Sequence, residues 1–480
     1  MVIDIGTVLA VTGAGLAVGL SAIGSGIGVG IAGAAGAAAL AARPEKFGTS
    51  LVFQAVPQTQ GIYGLLVAVL ILLSTGVLGG EGGGVSFAMG LAAIGAGLAV
   101  GLAGLSAIGQ GIAAAAGISA SVQEERSVGR SLVFSVIPET QAIYGLLTAV
   151  LILSFTGFLA GDLAISDAAG LAAIGAGSAV GFAGLSAVGQ GITAASGITA
   201  SARRTEAFGK SLVFSVVPET QAIYGLLAAI LIMAFTGILT QDVTATLAAG
   251  FAAIGAGLAV GIAGLSAIGQ GITAAAGVSA TAEKDEAFGK SLVFSVVPET
   301  QAIYGLLAAI LIMAFTGILT QDVTATLAAG FAAIGAGLAV GLAGLSAIGQ
   351  GITAATGVSA TAEKDEMFGR SLVFSVVPET QAIYGLLVAV LIMAFTGILT
   401  QDVTVTALVG LATIASGFAV GFAGLSAIGQ GITAAAGIEA TARSGAALGR
   451  SLIFAVIAET FAIFGLLIAI LILFGIGVFG

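Results

Sequence analysis

Two kinds of apolar stretch alternate along this chain. One is thin, rich in glycine and alanine, as in GLAAIGAGLAVGLAGLSAIGQGIAAAAG at Gly90–Gly117. The other is bulky, rich in leucine, isoleucine and phenylalanine, as in SLVFSVVPETQAIYGLLAAILIM at Ser211–Met233. Charged residues keep to short segments between them. None falls between Glu81 and Glu124, and only Glu139 falls between Arg130 and Asp162. Apolar runs beyond about 18 residues predict membrane-spanning helices. A helix of roughly 30 residues reaches about 45 Å. That exceeds the ~30 Å hydrocarbon core, so the ends should protrude or tilt.

The alternation has a period. Glu139, Glu219, Glu299, Glu379 and Glu459 stand 80 residues apart, and so do Gln110, Gln190, Gln270, Gln350 and Gln430. The first unit is looser, with GLSAIGSGIGVG at Gly19–Gly30 and PQTQGIYGLL at Pro57–Leu66. Self-similarity at a fixed spacing signals repeated structural units. Six helical hairpins are expected, at 1–83, 84–163, 164–243, 244–323, 324–403 and 404–480, giving an all-α membrane protein of twelve transmembrane helices. Close-set small residues such as Gly95, Gly97, Gly101, Gly104, Gly109 and Gly111 let membrane helices approach closely. The thin helix therefore suits the inner wall of a ring and the bulky helix its outer wall, with the tandem hairpins forming an arc.

Composition supports the membrane reading and removes other chemistries. Of 480 residues 58% are hydrophobic and only 8% charged, against about a quarter charged in soluble domains. The absence of Cys and His excludes disulfides, thiolates and imidazole ligands. The start, MVIDIGTVLAVTG, lacks a basic region, so the first span is expected to remain in the mature protein. All 13 Lys and Arg lie in the six loops within hairpins, from Arg43 and Lys46 to Arg443 and Arg450. The turns between hairpins hold only acids: Glu81, Asp162, Asp167, Asp242, Asp322 and Asp402. The positive-inside rule places the basic loops in the cytoplasm, with both termini outside. Those loops are short and mixed in charge, so nucleic acid is not an expected partner.

The repeated glutamate poses the chemical question. An ionised carboxylate at membrane depth is costly, and no intramembrane Lys or Arg is available to pair with it. A mobile ion or another subunit must neutralise it. Around the helix from Glu139, Thr140 lies about 100° away, Gln141 about 200° and Tyr144 about 140°. The triplet thus points away from the glutamate on its own helix. It recurs as Thr59, Gln60 and Tyr63; Thr220, Gln221 and Tyr224; Thr300, Gln301 and Tyr304; and Thr380, Gln381 and Tyr384. A complete polar cluster needs two adjacent hairpins.

The irregular units indicate a direction. Unit 1 has Gln58 where the others have Glu, and Ser25 is read at the position of the first-helix Gln; unit 6 has Phe461 and Phe464 where the others have Gln and Tyr. If each Glu meets the triplet of the preceding hairpin, every change falls in one site, the junction of unit 6 with unit 1 of a second chain. The opposite pairing scatters them over two sites. Each intact cluster then offers several oxygen donors around one negative charge, which suits a monovalent hard cation. Na⁺ is favoured. A hydrogen-bonded, protonated Glu would make the ion H⁺. Pro57, Pro138, Pro218, Pro298 and Pro378 precede the site residue and are expected to kink the helix, either merely bending it or freeing a carbonyl for the ion.

At PETQAIYGLL following GLSAIGQGI, the chain resembles the membrane rotor (proteolipid, or K) subunit of archaeal-type and vacuolar-type ATP synthases and ATPases. The resemblance spans the whole chain, as six fused copies of the family's hairpin, and points to the Na⁺-binding branch. It implies a first site of Gln110 and Glu139 with the Val56 carbonyl, Thr59, Gln60 and Tyr63, and a fifth of Gln430 and Glu459 with the Val377 carbonyl, Thr380, Gln381 and Tyr384. No ion-binding role carries over to Ser25 and Gln58. The resemblance also implies a homo-oligomeric ring in lipid, a stator subunit with an intramembrane Arg, central-stalk subunits at the basic loops, Na⁺ or H⁺ as the transported ion, and no organic cofactor. No GxxxxGK[ST] loop is present, so the expected role is non-catalytic. The rival reading is a twelve-span cation-coupled secondary transporter, which would place one substrate site between repeats rather than five equal carboxylates.

Overall fold

The computed structural model describes residues 4–79, 84–160, 165–241, 245–320 and 325–479. Glu81, Asp162, Asp242 and Asp322, assigned above to the acidic turns, lie outside the described residues. Among the described residues, eleven helices are long and apolar enough to cross a membrane. They are α1 (Ile5–Ala42), α2 (Pro44–Ser74), α3 (Phe87–Gln123), α4 (Glu125–Phe155), α5 (Asp167–Arg203), α6 (Ala207–Phe235), α7 (Leu247–Glu283), α8 (Asp285–Phe315), α9 (Leu327–Glu363), α10 (Met367–Phe395) and α11 (Ala407–Arg443). The twelfth, α12, is the pair Gly445–Ile457 and Thr460–Gly475, bent by 40° at the break. No strand occurs among the described residues.

Caps set where the thin helices begin. Ser86, Ser166, Thr246, Thr326 and Thr406 each accept an amide hydrogen bond from the residue three positions on, satisfying a donor the first helical turn leaves free. Asp4 does the same for α1 at 2.6 Å and also accepts from the Gly84 amide at 2.7 Å. The Thr7 amide, above all, holds its carboxyl below the usual range.

The helices form two layers. Odd helices pack side by side in chain order; each even helix lies on the odd helix of its own hairpin, also touches the odd helix of the next, and meets other even helices sparsely. Glycine makes the odd layer tight. A Cβ on Gly269 would sit 1.9 Å from the Ala347 carbonyl oxygen of the neighbouring thin helix, inside any atomic radius. Membrane helices gain most from such van der Waals contact, because lipid is as apolar as their side chains. A buried phenylalanine locks each step: Phe53, Phe134, Phe214, Phe294 and Phe374 press on Gly117, Gly197, Gly277, Gly357 and Gly437 of the following hairpin. At the loop end Lys210 pairs with Asp285 and Lys290 with Asp365, and Lys284 and Lys364 donate to the Ala362 and Ala442 carbonyls at 2.6 Å. These exposed bonds add little energy each, but they repeat the same hairpin-to-hairpin step. The two ends of the row are one-sided. The apolar window is 78% buried in α3 and 72% buried in α5, α7 and α9, but 39% in α1 and α11.

Two expectations change. Proline does not make the sharpest bend. The five prolines sit in short 3₁₀ turns within otherwise continuous spans, whereas the 40° break lies in α12, which has Ala458 instead. Ser25 is not the counterpart of the thin-helix Gln. Gly28 lies against the Ala107 carbonyl as Gly109 lies against that of Ala187, so Val29, following Gly28, stands at the level of Gln110. Local winding accounts for part of the offset. α3 tightens into a 3₁₀ turn at Gly104–Ser106, while α1 is regular throughout and uses 38 residues where α3 uses 37. A 3₁₀ turn holds about 3.0 residues instead of 3.6, which accounts for that one residue; the rest of the offset between Ser25 and Val29 arises because the GLSAIG letters stand about a turn earlier along α1 than along α3.

Candidate functional site

Each site begins with the proline. Lacking an N–H, it leaves the bulky helix to pass the glutamate as a 3₁₀ turn, Ile137–Glu139 in the second hairpin and Val297–Glu299 in the fourth. The carbonyl just before the proline then accepts the hydroxyl of the following threonine: Thr59 to Val56 at 3.3 Å, Thr140 to Ile137, Thr220 to Val217 and Thr380 to Val377 each at 3.1 Å, and Thr300 to Val297 at 3.2 Å.

From there one chain of hydrogen bonds crosses to the next hairpin, the same way five times. In the third site the single Thr220 hydroxyl proton is shared between the Val217 carbonyl and the Gln221 amide oxygen at 3.2 Å, Gln221 donates to the Gln270 oxygen at 2.7 Å, and Gln270 donates to Glu299 at 3.3 Å. The Tyr224 hydroxyl caps the other Glu299 oxygen at 2.7 Å. The first site runs through Thr59, Gln60, Gln110, Glu139 and Tyr63, with the Gln60–Gln110 bond at 2.6 Å and the Tyr63–Glu139 bond at 2.7 Å. Thr140, Gln141, Gln190, Glu219 and Tyr144 form the second, and Thr300, Gln301, Gln350, Glu379 and Tyr304 the fourth. Thr380, Gln381, Gln430, Glu459 and Tyr384 form the fifth.

The glutamate therefore faces the triplet of the preceding hairpin, and all twenty glutamate, glutamine and threonine positions singled out from sequence meet in five clusters. The glutamines are fully buried, the glutamates half-buried except the buried Glu459. Partial exposure puts Glu139, Glu219, Glu299 and Glu379 at the outer seam between two bulky helices. One carboxylate stands in each cluster, and among the described residues no three Asp, Glu, His or Cys side chains come together. That charge does not balance a divalent cation, which takes several carboxylates. The oxygen count does suit a small monovalent one. Sequence reasoning missed the Ile137, Val217 and Val297 carbonyls, although the 80-residue period pointed to them from Val56 and Val377. Gln58 is exposed on the bare flank of the first hairpin, as are Phe461 and Phe464 on that of the sixth.

Comparison with known proteins agrees with this geometry. The family model for the C subunit of ATP synthase matches six times, at residues 12–71, 94–152, 174–232, 254–312, 334–392 and 414–472. The first match is one residue longer than the second, as the winding of α1 requires. The A-type ATP synthase subunit K of Methanocaldococcus jannaschii is 57% identical over 226 residues, 47% of this chain and 96% of that protein. The V-type sodium ATPase subunit K of Enterococcus hirae is 38% identical over 148 residues, 31% of this chain and 91% of that one. The 16 kDa proteolipid of the V-type proton ATPase of Nephrops norvegicus is 37% identical over 139 residues, 28% of this chain and 86% of the relative.

Proposed function

The chain belongs to the family of the ATP synthase C subunit, and on that premise we propose that it is a membrane rotor subunit of an A/V-type ATP synthase or ATPase, carrying Na⁺ on five intramembrane glutamates. The observation that carries the proposal is the five-fold cluster, in which one membrane-depth carboxylate is surrounded by oxygens from two hairpins. A cation there would draw on the glutamate, both glutamine oxygens, the threonine hydroxyl and the carbonyl before the proline. The tyrosine hydroxyl and the thin-helix glutamine hold the carboxylate against the preceding hairpin, which keeps a neutralised site closed while it faces lipid.

The cycle follows from charge. An ion entering from a stator half-channel neutralises a glutamate, the ring turns, and a stator arginine displaces the ion on the far side. One charge moved through 100 mV supplies about 2.3 kcal/mol, and several such steps drive ATP formation in a soluble head, or ATP hydrolysis drives the reverse. The subunit itself is non-catalytic. Its basic loops face the cytoplasm toward central-stalk subunits, and both termini face outward. With five carboxylates in six hairpins, each turn moves fewer ions per ATP. This favours ATP-driven pumping against a steep gradient, and an ion-to-ATP ratio matching six ions per chain would refute it.

Carbodiimide is expected to label five glutamates per chain, and Na⁺ to protect all five. Labelling indifferent to Na⁺ up to high concentration would transfer the role to H⁺. Tyr63→Phe removes a hydrogen bond to a carboxylate, worth about 1.5–3 kcal/mol. It should raise the Na⁺ concentration that protects Glu139 by roughly tenfold or more, leaving the other four sites unchanged. Peptide mass spectrometry resolves this, because Ile137 distinguishes the Glu139 peptide.

A further inference from the structure

Five buried serines on the thin helices have nothing to bond to. Ser106, Ser186, Ser266, Ser346 and Ser426 each carry a buried hydroxyl with no hydrogen-bond partner among the described residues. Ser106, Ser186, Ser266 and Ser346 are 0% exposed. Buried serines elsewhere settle on the carbonyl four residues back, as Ser21 does on Ala17 at 2.7 Å and Ser135 on Ser131 at 2.8 Å. The five stand where the thin helix tightens. Four end the 3₁₀ turns Gly104–Ser106, Gly264–Ser266, Gly344–Ser346 and Gly424–Ser426, and Ser186 follows the turn at Gly184 and Leu185. Tighter winding moves the carbonyl four residues back out of line. A buried hydroxyl left unbonded costs free energy, here five times over.

The first hairpin shows what goes with that cost. Gly28 shares a level with Gly109, so Ser25 stands at the level of Ser106 and Val29 at that of Gln110. Ser25 is partnered: its hydroxyl accepts the Gly61 amide at 2.8 Å. The other five hairpins have alanine in place of Gly61, at Ala142, Ala222, Ala302, Ala382 and Ala462. A Cβ on Gly61 would lie 3.1 Å from the Ser25 hydroxyl, closer than ordinary contact, so those alanines hold the serine off the backbone. The hydroxyl is thus free in each hairpin that carries both the glutamate and the thin-helix glutamine, and bonded in the one that carries neither.

Serine and glutamine are four residues apart, one above the other on a helix face, and helical side chains lean toward the N-terminus. Gln110 therefore overhangs the turn that holds Ser106. In the closed cluster Gln110 donates to Glu139 at 3.3 Å and accepts from Gln60. The rotor cycle requires Glu139 to leave the cluster for the stator arginine. Its departure takes the acceptor from a Gln110 amide that is 0% exposed. We infer that the serine hydroxyl then accepts that N–H, so that Ser106, Ser186, Ser266, Ser346 and Ser426 are positioning residues that stabilise the opened, ion-free site. The unbonded hydroxyl raises the closed state and its new bond lowers the open one. Both effects favour opening. Neither alters Na⁺ affinity, because the serine is unbonded in the closed site whether an ion is present or not.

This role rests on the rotor reading above, and its test is separable from it. Tyr63 and Gln110 occupy both Glu139 oxygens in the closed site, so carbodiimide labels the opened one, and the labelling rate without Na⁺ reports opening. In the whole complex in its membrane, Ser106→Ala should slow labelling of Glu139 about tenfold, equivalent to about 1.4 kcal/mol. The other four glutamates of the same chain should keep their rates. The Na⁺ concentration that half-protects Glu139 should not move. The ring should dissociate in detergent at no lower a temperature, since alanine removes an unbonded hydroxyl. Ser25→Ala should do the reverse: it strands the Gly61 amide, lowers that temperature and leaves all five labelling rates alone. Ser426→Ala, read at Glu459 on the peptide that carries Phe461, is the second variant should Ser106→Ala fail to assemble. Glu139 labelling at the unmodified rate, or a less stable ring whose Glu139 labels faster, overturns the role and leaves the ion site standing. Glutamates that Na⁺ never protects would overturn the Na⁺ reading, while the labelling rates would still decide the serine.

Discussion

Glu139→Gln should reduce ATP-driven Na⁺ uptake into reconstituted vesicles by about 10²-fold or more, whereas Glu299→Gln should leave a measurable rate. Both variants keep the size and hydrogen-bonding reach of the side chain, and both leave four carboxylates per chain. They differ in position. The row already contains one hairpin without a carboxylate, the first, and a working rotor must pass it. Glu139 belongs to the next hairpin, so its loss makes two such hairpins in succession. The stator arginine implied by the rotor reading then faces neutral side chains over twice the rotation. An unpaired charge held in a low-dielectric site costs several kcal/mol, and each 1.4 kcal/mol is about tenfold in rate. Glu459→Gln, on the other side of the same gap, should behave like Glu139→Gln. Glu299→Gln creates a second isolated gap of a kind the rotor already tolerates. Equal losses for Glu139→Gln and Glu299→Gln would mean that the order of sites around the ring does not matter, and the account of the gap would be wrong.

Gly269→Val is expected to prevent assembly altogether. The new Cβ would lie 1.9 Å from the Ala347 carbonyl oxygen. That obstacle is backbone, so no side chain can rotate away, and the two thin helices must separate. Overpacking a core usually costs about 1–3 kcal/mol and sometimes more; here the displacement also parts Gln301 from Gln350, which are 2.7 Å apart and fully buried. A buried amide without a partner adds about 1–3 kcal/mol. Gly289→Ala is the control. That glycine lies on α8 with nothing within 4 Å, and alanine in an open helical position should stabilise by up to about 1 kcal/mol. The measurement is the temperature at which the ring dissociates in detergent. Gly269→Val should yield no ring at any temperature, and a ring of normal stability would contradict the tight odd-helix layer.

Much of this was legible in the sequence because the repeat is internal. Comparing six copies of one hairpin separates what every copy keeps from what one copy loses. Gln58, Phe461 and Phe464 thereby pointed to the direction of pairing before any contact was known, and the helical angles between Glu139, Thr140, Gln141 and Tyr144 required two hairpins per cluster. The division into thin and bulky helices was equally plain, since glycine content decides how near two backbones can come.

What the letters could not supply was register and flank. Ser25 matches the glutamine motif in text, yet Val29 stands at that level, because the same letters lie at different heights along α1 and α3, and a 3₁₀ turn in α3 adds one more residue of difference. The bend in α12 at Ala458 was hidden because proline is only one reason a helix breaks. Nor does a run of glycines say which of them are spent on internal contacts. Gly13 is packed and Gly15 is bare, two residues apart, and that distinction exists only once the neighbouring helix is in place. Periodicity and polarity are properties of the chain alone; winding and contact belong to pairs of elements, so they appeared only in the folded molecule.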